Sequence, residues 1–327
     1  MKIVIPGGSG QVGTVLARAF VTAGHEVTVL SRRPIAAPWR VERWDGETVG
    51  PWASELEGAD AVINLAGRSV NCRYTAKHRR EIMESRVKST QAVGRAIGAA
   101  SRPPRVWLQA STATIYAHRF DADNDEATGI IGGREPDAPQ HWKFSIDVAT
   151  AWERAASKAI VPATRKVLLR SAMTMSPDAG GVFAMLLRLV RLGLGGTCGD
   201  GKQCMSWIHE HDFVRAVAWL IEHAELSGPV NLAAPFPLPN TEFMRVLRRA
   251  WGTRVGLPAK AWMLEIGTRL LRTESELILK SRRVVPRRLL DSGFAFKFPT
   301  WPAAAEELCA RTRGIEQPLI ALIPRIT

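Results

Sequence analysis

Three glycines near the start of the chain stand three residues apart in Gly7-Gly8-Ser9-Gly10-Gln11-Val12-Gly13. The chemistry open to such a turn is phosphate binding. The first glycine permits a sharp passage from strand to helix. The middle one lets backbone approach a diphosphate lying on the helix's free N–H groups and positive dipole end, and the third lets the helix lie close on the strand. Alone the motif says little. Here apolar residues 2–5 precede it and a helically spaced apolar run at 11–23 follows it, the order the mechanism requires. A dinucleotide site is expected, formed by Gly7, Ser9, Gly10, Gln11, Val12 and Gly13.

The next chemistry-bearing residues are Ser31, Arg32 and Arg33, at the end of the second apolar run. A protein that prefers NAD usually carries an acid there, to hold the ribose 2′-hydroxyl. An acid would repel a 2′-phosphate, whereas guanidinium groups grip one with paired charge-assisted hydrogen bonds. NADP(H) is therefore the expected cofactor; the alternative is that one of the two arginines points into solvent. Asp45, in RWDGET, is placed for a polar contact near the adenine, or equally for a surface turn. Leu65, Ala66 and Gly67 end a later strand in NLAG, whose small residues would let backbone pass beneath a cofactor ribose; strand packing alone is the alternative. His209 and His211 bracket Glu210, but no third ligand stands at a suitable spacing, so no metal is expected.

These residues need elements to position them. Residues 2–5, 26–31, 59–67, 105–111 and 165–171 read as strands, and residues 11–23, 76–100 and 142–157 as helices. Strands alternating with helices imply an α/β fold: a Rossmann, doubly wound parallel sheet covered on both faces. Beyond Pro177 the pattern loosens into helices at 180–192, 210–224, 240–251 and 258–271, with extended pieces at 203–208 and 229–232. The expectation is a cofactor domain at 1–175 and a smaller C-terminal substrate domain at 176–327, some of whose strands return to the main sheet. Its basic tail begins at about 281.

Composition bounds the rest. With 327 residues, 46% of them hydrophobic, the chain can bury a large core. No run of about 18 apolar residues is present, so no membrane span is expected. Structural residues begin too early to leave room for a cleavable leader. The four cysteines form no C-x-x-C pair, which reads as reduced thiols in a cytoplasmic protein. The formal net charge is +13, but the basic residues are dispersed and no aromatics interleave with the densest groups, 245–254 and 282–288. Nucleic acid is therefore not the expected partner. A small anionic ligand is.

The stretches GGSGQVG (7–13), LSRRP (30–34), WDG (44–46), NLAG (64–67), SRVKST (85–90), AWERAA (151–156), MSWIHEHDFV (205–214) and SRRVVPRRLLDSGFAFKFP (281–299) together resemble the extended short-chain dehydrogenase/reductase superfamily. They are most similar to an atypical epimerase-family branch that carries a small C-terminal domain of unknown function. The resemblance implies an NADP(H)-binding Rossmann domain with a small substrate domain, as a monomer or as a homodimer through the helices near 76–100 and 142–157. It also implies a strand-end serine/threonine segment, QASTATIYA (109–117). Ser111 and Thr112 would then lie beside the nicotinamide, and Tyr116 within reach of substrate. The alternatives are hydroxyls that cap the strand's loop and a tyrosine that lines the pocket. RSAMTMSP (170–177) resembles the segment leading into the substrate loop. Arg170, Met173 and, from MSWIH, Trp207 are the substrate-side candidates.

Where the chain departs from the superfamily is equally informative. The superfamily's Tyr-x-x-x-Lys dyad puts both side chains on one helical face, the lysine lowering the tyrosine's pKa while the tyrosine moves a proton. This chain has two tyrosines; His78 lies four residues after Tyr74, and Phe120 four after Tyr116. Aligning Glu153 with the glutamate that often follows the motif puts Ser145 at the tyrosine position and Ala149 at the lysine position. Lys143 is about two residues out of phase and faces elsewhere. Two functions remain open: an NADP(H)-dependent oxidoreductase or epimerase-like enzyme whose proton comes from Ser111, Thr112, Tyr116 or water, and a non-catalytic module that senses NADP(H).

Overall fold

The computed structural model describes residues 1–136, 138–260, 274 and 276–314. It opens with β1 (Lys2–Pro6), α1 (Gln11–Thr22) and β2 (Glu26–Ser31), followed by β3 (Arg40–Arg43), β4 (Ala61–Asn64), α2 (Ala76–Ala99), β5 (Val106–Thr112), α3 (Lys143–Lys158) and β6 (Arg165–Ser171). Then come β7 (Met173–Met175), α4 (Val182–Arg191), β8 (Cys204–Met205), β9 (Trp207–His209), α5 (Glu210–Glu222), β10 (Gly228–Leu232), β11 (Leu238–Pro239) and α6 (Asn240–Trp251). Short helices α7 (Glu276–Leu279) and α8 (Arg287–Asp291) precede α9 (Trp301–Thr312). The part of the expected 258–271 helix from 261 onward lies outside the described residues.

Seven strands form one sheet in the order β10-β6-β5-β4-β1-β2-β3, every pair parallel. Strand alternation sends side chains to opposite faces. Ile3 and Ile5 of β1 join Val15, Leu16 and Phe20 of α1 and Phe213, Val217 and Leu220 of α5 in one core. Val4, between them, joins Val93 and Ile97 of α2 and Ala156 of α3 in the other. Each such leucine, isoleucine or phenylalanine stabilises the fold by ~1.5–3 kcal/mol on burial, so the doubly covered sheet is the dominant apolar structure. The edge strand β3 escapes the sequence pattern because it is short, polar and only half-buried.

Strand order reverses between β1 and β4, and a crevice opens beyond their carboxyl ends. β10, from beyond residue 175, completes the far edge of the sheet beside β6. Apart from the cores on the sheet's two faces, a second core, away from the sheet, is built by Phe183 and Leu187 of α4, Phe243 and Leu247 of α6, and Trp301 and Leu308 of α9 around Met175 and Trp207. No helix among the described residues is long and apolar enough to cross a membrane.

Candidate functional site

The crevice is a cleft of about 290 Å³, lined at one end by Gly7, Ser9 and Gly10, along one wall by Leu65, Ala66 and Gly67, and at the other side by Ser31, Arg32, Trp44 and Asp45. Gly7 turns with φ +77°, and a Cβ there would lie 2.6 Å from the Ala66 Cα. A Cβ on Gly13 would lie 2.4 Å from the Gly8 Cα, so this glycine lets α1 start directly on the turn. Both crowding distances explain why the positions must lack a side chain. Gln11 and Val12 lie half-buried at the start of α1: the Gln11 amide lies against Gly181, and Val12 packs on the first core.

Side chains brace this backbone. The Ser31 hydroxyl donates to Ser9 Oγ at 3.0 Å and also accepts the Arg33 N–H at 3.2 Å, tying the glycine turn to the end of β2. Buried Asn64 accepts the Ala66 N–H at 3.1 Å, while its amide donates to Gln109 at 2.9 Å. Arg32 lines the cleft, and Arg33 is exposed beside it. Asp45 also lines the cleft, and its carboxylate accepts the Glu47 and Thr48 N–H groups at 2.8 and 2.9 Å, together with the Thr48 hydroxyl. Burial pulls its pKa upward, but the Thr48 and Glu47 hydrogen bonds prevail and hold it below the usual carboxylate value.

At the ends of β5 and β6 the expected site residues meet in a buried network. Ser111 donates to Glu153 at 2.6 Å; Arg170 grips the same carboxylate at 2.8 and 2.9 Å. Arg170 also donates to the Tyr116 phenol at 2.9 Å, and Tyr116 donates to Asn231 at 2.9 Å. Tyr116 is 2% exposed. Burial pushes its phenol up, against the pull of Arg170. Its proton is committed to Asn231. Thr112 accepts the Thr114 N–H at 3.2 Å and so caps the turn that follows β5. Met173 is half-buried beside the second core, and fully buried Trp207 packs on Trp301 at 5.0 Å between ring centroids. Arg170 and Trp207 therefore sit within packed interior rather than on an open wall.

Along α3, Ser145 donates to Glu276 at 2.6 Å, Ala149 is fully buried, and Lys143 pairs with Asp147 at the surface. His209, His211 and Glu307 bring ligand atoms within 4.8 Å of one another. Sequence spacing missed this trio because Glu307 comes from α9. His209 and Glu307 are tied together, whereas neither ring nitrogen of buried His211 has a hydrogen-bond partner among the described residues. His209 accepts the His211 N–H through Nδ1 at 3.1 Å and bonds Glu307 through Nε2 at 2.8 Å, and Arg311 sits on Glu307 at 2.8 Å. Burial, aided by His209 and Arg311, pushes His211 down to about 3, so it is neutral.

The sequence matches the NAD dependent epimerase/dehydratase family over residues 3–233, and a domain of unknown function, DUF1731, over residues 261–308. The chain belongs to the NAD dependent epimerase/dehydratase family. Among relatives, the epimerase family protein SDR39U1 of Bos taurus is 33% identical over 314 residues, covering 95% of this chain and all of the relative. The crystal structure of human epimerase family protein SDR39U1 (isoform 2) with NADPH superposes with a TM-score of 0.82 at 30% identity, covering 94% of this chain and 99% of that one. A nucleoside-diphosphate sugar epimerase from Corynebacterium glutamicum is similar at 28% identity and TM-score 0.72, covering 97% of this chain and 62% of that chain.

The epimerase/dehydratase match ends one residue past β10, the strand that completes the sheet. The tail beyond it binds back onto that body. Arg282 N–H donates to the Cys204 carbonyl at 2.8 Å, Val284 N–H to the Ser206 hydroxyl at 2.9 Å, and Asn124 N–H to the Arg283 carbonyl at 2.7 Å. Its basic residues have internal partners: Arg283 pairs with Asp123, Arg287 with Asp125, and Arg288 donates to the Ser227 and Pro229 carbonyls. Sequence reading gave no role to Asn64 and Gln109, which open NLAG and QASTATIYA, nor to Arg86. That arginine, inside SRVKST, donates to the Arg68 carbonyl at 2.9 Å and lies 3.2 Å from a Cβ built on Gly67.

Proposed function

We propose that this chain is an NADP(H)-dependent oxidoreductase of the short-chain dehydrogenase/reductase type, acting on the carbonyl or alcohol of a small molecule. Arg32 at the cleft edge, where an NAD-preferring site would carry an acid, is the observation that carries the cofactor choice. The backbone cradle fits the cofactor because it is closed to any side chain at Gly7 and Gly13. Gly7, Ser9 and Gly10 would hold the diphosphate, Ser31 and Arg32 the 2′-phosphate, with Arg33 joining from the exposed side. Leu65, Ala66 and Gly67 would lie under a ribose and Asp45 toward the adenine. When bound, the reduced nicotinamide supplies a hydride to a carbonyl carbon. The NADPH in the human SDR39U1 crystal structure supports this cofactor. The division near residue 175, a substrate side built from the later residues, a monomeric or homodimeric state and a cytoplasmic site of action belong to the same reading.

A second reading, an NADP(H)-sensing module without turnover, is favoured by one observation: Ser111, Arg170 and Tyr116 satisfy one another through Glu153 and Asn231.

The eleven tryptophans offer a fluorescence titration with NADPH and NADH. NADPH should bind at least ~10-fold tighter, and Arg32→Glu should weaken NADPH by about 10- to 100-fold, the range of a hydrogen bond to a charged group. A preference for NADH sinks the cofactor assignment. Tight NADPH binding with no turnover across a broad carbonyl panel selects the sensor.

A further inference from the structure

We infer that Arg86, projecting from α2 behind the ribose wall, is a cofactor anchor whose guanidinium donates to the phosphate and ribose on the nicotinamide side. This rests on the NADP(H) reading and gives a cation to the half of the cofactor which that reading left without one.

The guanidinium is built into the wall of the cleft. Gly67, Arg68 and Ser85 line that cleft, and Arg86 follows Ser85 on α2. A Cβ on Gly67 would lie 3.2 Å from both Cγ and Cζ of Arg86 and 3.3 Å from its Nη1. The missing side chain therefore lets the cation lie directly against the wall's backbone. Nη1 donates to the Arg68 carbonyl at 2.9 Å and to the Ile82 carbonyl at 3.2 Å, fixing the group to the end of the wall and to its own helix. It also lies over the Trp152 ring of α3, 5.0 Å from the centroid, and that ring is held by its Nε1 donating to Thr90 at 3.0 Å. Trp152 shares a helical face with Ala149, three residues earlier. α2 thus brings a cation to a face on which α3 places alanine.

What this guanidinium lacks is an anion. Among the described residues no carboxylate pairs with it, and both of its hydrogen bonds leave from Nη1, so Nε and Nη2 keep N–H groups to give. Arg170, by contrast, holds Glu153 through two bonds. A charge withdrawn from water without a partner is costly, and a phosphate is a partner that the fork of a guanidinium fits well. The side chain is only half-buried, so it is not sealed from a ligand. Burial pulls Arg86 down to about 10, against the pull of Tyr74 and Cys72, so it stays charged near neutral pH.

Sheet order says which part of the cofactor meets it. Along β5-β4-β1-β2, Arg32 follows β2, the glycine turn follows β1 and Gly67 follows β4. A dinucleotide with its 2′-phosphate at Arg32 and its diphosphate on the turn runs on toward Gly67 and Arg86. The two arginines stand on opposite sides of the turn and hold different halves of one ligand.

Calorimetric titration with three ligands tests the placement: 2′,5′-ADP, which stops at the adenosine side; 2′-phospho-ADP-ribose, which adds the second phosphate and ribose; and NADPH. The parent protein should bind the two longer ligands at least ~10-fold tighter than 2′,5′-ADP, a step the size of one hydrogen bond to a charged group. Arg86→Met keeps an apolar stem against Trp152. It should weaken both longer ligands by about 10- to 100-fold and leave 2′,5′-ADP within about 2-fold. Arg86→Lys, which keeps the charge but not the fork, should show a smaller loss of the same pattern, and it decides the matter if Arg86→Met does not fold. Equal binding of all three ligands by the parent, no loss in the variants, or a loss that 2′,5′-ADP shares overturns the inference; the shared loss would make Arg86 a structural brace. Arg32→Glu should instead weaken all three ligands. If the parent prefers NADH, and Arg86→Met weakens ADP-ribose and NADH but not AMP, the NADP(H) reading falls while the Arg86 placement stands.

Discussion

At the glycine turn the cleft is made of backbone: Gly7 and Gly13 admit no side chain, and the Ser31 hydroxyl, donating to Ser9, and the Asn64 side chain, accepting the Ala66 N–H, hold the loops in place. At the ends of β5 and β6 the expected site residues are side chains from segments far apart in the chain, a buried network in which Ser111, Glu153, Arg170 and Tyr116 satisfy one another. The difference separates two ways of building a site. Backbone cradles recognise a phosphate that many proteins share, and they tolerate little variation because sterics forbid it. Side-chain networks tolerate change only where each buried charge keeps a partner.

The comparison can be broken at three points. The largest effect is expected at Arg170. Removing its guanidinium in Arg170→Met strands the Glu153 carboxylate, and breaking a buried pair costs about 3–5 kcal/mol. Urea unfolding should show this loss while NADPH affinity changes little; a large loss of NADPH affinity at unchanged stability would mean that the network belongs to the cofactor site. Next is Gly13→Ala. The added methyl meets the Gly8 backbone, and overpacking of this kind costs about 1–3 kcal/mol. Here the NADPH titration should fall by more than the stability loss explains, since α1 must shift off the turn. Equal binding by the variant would remove the steric account of the cradle. The smallest effect is expected from Ser31→Ala, which deletes the bond to Ser9 and should cost about 0.5–1.5 kcal/mol. A denaturation midpoint identical to that of the parent protein would show that the brace is redundant.

Much of the architecture was legible in the residues. The alternating apolar runs foretold five of the sheet's strands and the helices that cover them, because burial on both faces leaves a near-continuous hydrophobic signature. β10 was visible as an extended piece at 229–232, and strands of the later part were expected to return to the sheet; its place beside β6 was not readable, since the pairing partners lie about 60 residues away. The edge strand β3 left no trace, because a four-residue, half-buried strand with a single apolar residue leaves no periodic signal. The glycine turn and the arginines after β2 were readable because each is a run of contiguous residues. The buried fate of Tyr116 was not, since it depends on Arg170 and Asn231 arriving from two other strands.

What the amino-acid order determined by itself is the local chemistry: a glycine-rich turn between strand and helix, cations where an acid would select NAD, and two tyrosines without a lysine one turn on. Only the tertiary structure decided which polar groups are neutralised by one another and which stay available. Side chains 131 residues apart, Ser145 and Glu276, meet because α3 and the C-terminal segment pack together. Such meetings leave no periodicity in the sequence, for they are fixed by packing geometry and by the cost of burying an unpaired charge.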